Sequence, residues 1–196
     1  MNFVLFNLFT VLLFRSTSIS CIRSNNVNIH SLLPFGQYKL IFKQIKSCNP
    51  SHNYKIQHNF YLSHDNKSNV TEIRGTTFNN IPFDDTLFLE ANFSFKDADG
   101  NWKDNTYIHK SPKACSSFRL LMGAQWTMVM DGLGAKNPTC PLPKGIYNAP
   151  GLDTSIFLKT NMPKTFVYGT YKVKFYYTRN KEVCGCCIFI LEFKRL

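Results

Sequence analysis

Thr86-Leu87-Phe88-Leu89-Glu90-Ala91-Asn92-Phe93-Ser94-Phe95 sets Leu87, Leu89, Ala91, Phe93 and Phe95 in alternation with Phe88, Glu90, Asn92 and Ser94. A period of two sends successive side chains to opposite faces of a strand. The segment therefore predicts one face turned to a core and one turned to water, with Asn92 on the outer face. Asp97-Ala98-Asp99-Gly100-Asn101 follows as a turn whose glycine supplies a positive φ, and residues 102–108 read as a short strand.

Working outward, strand patterns occupy residues 38–45, 54–62 and 72–78 on the N-terminal side, after a loose lead-in at 22–37. On the C-terminal side they occupy 146–148, 154–158, 170–178 and 186–193. Only residues 111–130 change period. Ser111-Pro112 is a helix-start signal, and Cys115, Phe118, Leu121 or Met122, and Gln125 or Trp126 recur at helical spacing before Gly132 and Gly134. Eight or nine short strands with one helix predict a mostly β protein, a β-sandwich with the helix laid on one side. No repeat, low-complexity tract or linker divides residues 21–196, so one domain is expected.

The chain has 196 residues, 44% of them hydrophobic, with 18 Phe and a formal charge of +11. This composition supports a sizeable core. The excess charge suggests an acidic partner such as an anionic membrane surface, acidic glycans or nucleic acid, but the lysines and arginines are spread along the chain without a dense block, which reads as a solvated basic surface. Residues 3–14 are apolar apart from Asn7 and Thr10, and Ser18 and Ser20 precede Cys21. That run has the length of a signal-peptide core and is too short to span a bilayer, so residues 1–20 read as a leader. Asn66-Lys67-Ser68, Asn69-Val70-Thr71 and Asn92-Phe93-Ser94 are glycosylation sequons, which agree with export. A secreted or extracellular location is expected, a lysosomal one being compatible with the same route.

Seven cysteines occur: Cys21, Cys48, Cys115, Cys140, Cys184, Cys186 and Cys187. In an oxidising compartment they read as disulfides rather than as metal ligands, and spacing alone does not choose the connectivity. Motifs for catalysis are missing: there is no Gly-x-Ser-x-Gly, no His-Glu-x-x-His and no phosphate-binding glycine loop. His30, His52, His58, His64 and His109 lie in polar stretches and read as surface residues. No enzymatic activity, cofactor or metal is expected.

Cys140-Pro141-Leu142-Pro143-Lys144-Gly145-Ile146-Tyr147, then Gly169-Thr170-Tyr171-Lys172-Val173, then Gly185-Cys186, resembles the ganglioside activator proteins of the ML lipid-recognition superfamily. Secreted insect proteins of the CheB type belong to the same superfamily. The likeness spans residues 140–196; upstream only Cys48 and Cys115 fit by position. It implies an immunoglobulin-like β-sandwich opened as a β-cup, with disulfides Cys48–Cys186 and Cys115–Cys140. Cys184 and Cys187 depart from the pattern, and they are left to pair with each other or, for one of them, with Cys21.

The resemblance also implies an apolar cavity between two sheets that holds an acyl chain or glycolipid. Tyr171, Val173, Phe175 and Tyr177 would line it from one strand, with Phe189 and Leu191 from the last. That last strand is apolar on both faces, which fits a filled core equally well. Trp126, Met128 and Met130 suit a mobile rim that meets a membrane, or else a cover over the core. Expected partners are a lipid or other hydrophobic small molecule, a membrane surface, and a hydrolase or receptor. Carrier or activator is the leading function. An extracellular binder of pheromone-like ligands and a ligand-free interaction module are the alternatives.

Overall fold

The computed structural model describes residues 34–66, 69–136 and 138–196. The leader, Cys21 and most of the lead-in lie outside the described residues. The N-terminal strands are β1 (Phe35–Gly36), β2 (Tyr38–Ser47), β3 (Ile56–Asp65), β4 (Val70–Asn79), β5 (Phe88–Lys96) and β6 (Trp102–Ser111). Two short helices follow, α1 (Ala114–Met122) and α2 (Trp126–Gly132), joined by a single 3-10 turn. The chain ends with β7 (Gly145–Asp153), β8 (Phe166–Val167), β9 (Gly169–Arg179) and β10 (Glu182–Arg195).

The strands form a mostly β sandwich of two antiparallel layers. One layer runs β6-β5-β9-β10-β2, and the other runs β3-β4-β7. Among the described residues the layers pair at a single corner, where Gly185 of β10 pairs in parallel with Ile56 of β3. A Cβ on Gly185 would stand 2.7 Å from Tyr177 Cδ2 and 2.8 Å from the Ile56 carbonyl oxygen. Only glycine lets the two backbones close there. Beside this corner Cys48 is bonded to Cys186, and Cys115 on α1 is bonded to Cys140, the pairs that the resemblance implies.

Alternation sets the inner face. In β5, Leu89 and Ala91 are buried while Phe88 is exposed. Leu89, Ala91, Phe93 and Phe95 stand opposite Tyr177, Phe175, Val173 and Tyr171 of β9. A bulge in β2 leaves Lys43 without a partner between Gln44 and Phe42. The extra residue keeps Tyr38, Leu40 and Phe42 on the same, inward side of the sheet as Ile45. β1 and β8 pair over two residues as a separate small sheet.

Three expectations are corrected. Residues 154–158 are not a strand: Thr154–Lys159 is a 3-10 helix, started by the Asp153 carboxylate accepting from Ser155 N at 2.8 Å. The helix does not start at Ser111-Pro112. It starts at Ala114, after Lys113 in the left-handed region (φ 57), and is broken at Gly123. Its N-terminus is capped from a distant loop, where the Asp85 carboxylate accepts from Ser116 N at 2.9 Å and Ser116 Oγ at 2.6 Å. Those bonds hold the Asp85 carboxyl below the usual carboxylate range. Finally, Cys184 and Cys187 do not pair with each other; both thiols are free and buried.

Candidate functional site: an uncharged cavity between the layers

The two layers and the helices enclose a cavity of about 760 Å³. Ten phenylalanines among the described residues line it, and no Asp, Glu, Lys or Arg does. Phe42, Phe60, Phe175, Tyr177 and Phe189 point inward yet keep some accessible surface, because what they face is hollow rather than packed. Phe175 and Phe189 meet edge to face at 5.5 Å. The lining residues with the most solvent exposure are Leu120 (74%) on α1 and Tyr107 (54%) on β6, with His109, Asn161 and Pro163 also exposed. They mark the mouth. Asn161 ties the two sides of that mouth together: its side-chain amide donates to the Leu120 carbonyl at 2.8 Å and its backbone N–H to that of Leu121 at 2.9 Å.

The structure divides the six candidate cavity residues. Phe175, Tyr177, Phe189 and Leu191 line the cavity. Val173 shares their strand face but is packed in the filled part of the sandwich, and Tyr171 lines a second, shallower hollow of about 480 Å³ with Phe93, Phe95 and Phe166. There Phe166 stacks on Phe193 at 4.2 Å, and Tyr38 and Tyr171 meet Phe193 edge to face at 4.8 and 5.4 Å. The three candidate rim residues separate as well. Trp126 is buried against Phe118, its indole N–H donating to the Pro138 carbonyl at 3.1 Å. Met130 is buried and lines the cavity, whereas Met128 is 62% exposed. Asn66 and Asn69 are exposed in the β3–β4 turn, and Asn92 is half-buried on the outer face with its amide nitrogen donating to Asn105 Oδ1 at 2.6 Å.

Sequence reasoning missed one part of the lining. His58 is not a surface residue: it lines the cavity with Thr77 and Asn79, next to the corner where the layers join. Its Nδ1 lies 2.9 Å from Thr77 Oγ1, and its ring stacks on Phe60 and meets Tyr177 edge to face. Ile56, His58, Phe60 and Leu62 alternate with Gln57, Asn59 and Tyr61, so the signal was the same period of two used for β5. The uncovered part of the ring faces the cavity rather than bulk water. Burial therefore lowers the pKa of the His58 imidazole to about 4, and it pushes that of the Cys187 thiol, also in the lining, up to about 12.

His58 predicts an acid sensitivity whose sign follows from this shift. The native state holds the imidazole neutral down to about pH 4, while the unfolded chain protonates it near 6.5. Between those values the unfolded state binds more protons, so stability is full above pH 6.5 and falls as pH drops through the window. The expected loss from pH 7.5 to 4.5 is of the order of 2–3 kcal/mol. Urea unfolding at both values should show it, and His58→Phe should reduce the pH difference by that amount. Carboxylates add their own acid dependence, so the difference between wild type and variant carries the result. An unchanged difference would place the imidazole in contact with water.

Among the described residues no helix is long and apolar enough to cross a membrane, and no cluster of three or more His, Cys, Asp or Glu is gathered for a metal ion. No protein-family model matches the chain, and no curated protein matches it. Among solved structures the chain is similar to chicken MD-1 in its complex with lipid IVa, at 13% identity and a TM-score of 0.37. That similarity covers 80% of this chain and 99% of the chicken chain.

Proposed function

We propose that this chain is an exported lipid-binding protein that holds the apolar part of a lipid between its two layers, as a carrier or activator. The observation that carries the reading is the uncharged, phenylalanine-lined cavity of about 760 Å³. Its size falls within the range of about 300–1,000 Å³ typical of small-molecule sites. Each Å² of apolar surface removed from water contributes about 25 cal/mol, so an alkyl chain is held by area and shape without a charged partner. The two disulfides fit an oxidising compartment, and the leader at 1–20 and the three sequons support export. The exposed Leu120 and Met128 give the helices an apolar outer surface that suits a membrane approach.

The test is native mass spectrometry of protein secreted by a eukaryotic host, followed by titration of the delipidated protein with a fluorescent fatty acid. A co-purifying lipid and a dissociation constant of roughly micromolar or better, about −8 kcal/mol, are expected. Well-folded protein that binds neither lipid nor any hydrophobic probe would show that the cavity is not a ligand site.

A further inference from the structure

The lining is largely apolar, and among its few polar side chains three stand close together on β3 and β4. His58 and Thr77 face each other across β3 and β4, and Asn79 is the next inward residue on β4. All three sit by the Gly185–Ile56 corner, away from the mouth marked by Tyr107 and Leu120. Two of their atoms, His58 Nε2 and Asn79 Oδ1, are buried without a hydrogen-bond partner. Asn79 is only 5% exposed. Buried polar atoms are nearly always paired, and leaving one unpaired costs free energy that an apolar side chain at the same place would avoid. Two such atoms together in a ligand cavity point to a group that the ligand brings.

The chemistry of that group follows from the two atoms. Asn79 Oδ1 only accepts. With Thr77 donating its hydroxyl hydrogen to His58 Nδ1, the neutral imidazole carries its proton on Nε2 and donates. A single atom that accepts from Nε2 and donates to Oδ1 is a hydroxyl oxygen. A carboxylate or phosphate would meet the asparagine oxygen with a second negative atom, and no lysine or arginine lines the cavity to offset the charge. An ether or hydrocarbon would leave one or both atoms unpaired.

Resting on the lipid-binding reading above, we infer that the cavity selects a neutral lipid bearing a hydroxyl, bound hydroxyl-first, with that oxygen held between His58 and Asn79. Long-chain alcohols and sterols share this chemistry. The rest of the molecule then lies along Phe175, Phe189 and Phe60, and its far end reaches toward the mouth.

The experiment uses delipidated mature protein and displacement of N-phenyl-1-naphthylamine, an uncharged apolar fluorophore. Hexadecanol, its methyl ether and palmitate are the competitors. Hexadecanol is expected to displace the probe at about tenfold lower concentration than the ether, the value of one net hydrogen bond, and to outcompete palmitate at pH 7.5. In Asn79→Leu the alcohol and the ether should become equal while probe binding persists, and the variant should be at least as stable as wild type. Asn79→Val gives the same reading if Asn79→Leu does not fold, whereas His58→Phe should weaken alcohol and ether alike and keep the difference between them. Equal displacement by alcohol and ether in the wild type would overturn the inference, showing a polar pocket filled by water alone. A preference for palmitate would overturn it in favour of an acid-binding site. Failure of folded wild type to bind the probe at all would instead overturn the lipid-binding reading, and the inference with it.

Discussion

Phe175→Glu should lower affinity for a fluorescent fatty acid at least a hundredfold, while Lys174→Gln on the same strand should change it less than twofold. Phe175 stands between Ala91 of β5 and Cys187 of β10, facing the cavity and packed edge to face on Phe189. A carboxylate there meets no cation, because no lysine or arginine lines the hollow. It either stays charged and drags water into the space the chain must occupy, or it takes up a proton at a free-energy cost. A hundredfold is about 2.7 kcal/mol, less than most estimates for an uncompensated buried charge. Lys174 lies one residue away and so on the other face of the sheet. Circular dichroism and a thermal melt establish that each variant is folded. Phe189→Trp supplies a second test without a charge: extra volume in the cavity should weaken binding while leaving stability equal or higher. Folded Phe175→Glu with unchanged affinity would mean that the lipid binds elsewhere.

The strand layout was legible because alternation and burial agree over long segments. The inward positions of β5 and β9 follow from Leu89, Ala91, Phe175 and Tyr177 alone. What escaped was local chemistry that competes with periodicity. Thr154, Ile156 and Leu158 alternate as a strand would, but Asp153 bonds to Ser155 N and turns the chain into a 3-10 helix. Ser111-Pro112 carries a helix-start pattern, yet the capping carboxylate comes from Asp85, about thirty residues earlier, which no local reading reaches.

The candidate site was legible as a face and not as a volume. Tyr171, Val173, Phe175 and Tyr177 are equivalent by alternation, and only the packing of Phe166 and Phe193 against Tyr171 sets its end of the strand apart from Phe175 and Tyr177. Trp126 has the composition of a rim residue, but Pro138 and Phe118 hold it inside. His58 and Asn79 were hidden for the opposite reason. Polar residues in polar stretches read as surface, and the parity that places them inward with Ile56 and Phe60 is visible only once the strand is accepted as continuous. Exposure of apolar side chains at inward positions is the structural mark of a cavity, and composition carries no trace of it.

Removing the Cys48–Cys186 bond should be the most damaging change to stability. The bond closes a separation of 138 residues, against 25 for Cys115–Cys140. In the chain-entropy model these loops are worth about 5 and about 3.5 kcal/mol respectively, because the longer loop forbids more unfolded conformations. Position adds to length. Cys186 follows Gly185, whose contact with Ile56 is, among the described residues, the one ladder pairing between the layers, so the bond pins the corner where the layers meet. Both cysteines should be replaced together, since a lone Cys186 thiol would be left beside the free thiols of Cys184 and Cys187. Cys48→Ser with Cys186→Ser is expected to lower the unfolding free energy by several kcal/mol more than a typical point change, enough to unfold a domain of ordinary stability at 37 °C. Cys115→Ser with Cys140→Ser should cost less and leave a folded protein whose α1 is loosened. Urea unfolding of the two double variants at 10 °C, with the slope monitored to confirm a single transition, gives the comparison. A smaller loss for the Cys48–Cys186 pair than for Cys115–Cys140 would mean that the unfolded chain already keeps its two ends together, so that the junction at Gly185 forms without the covalent tie.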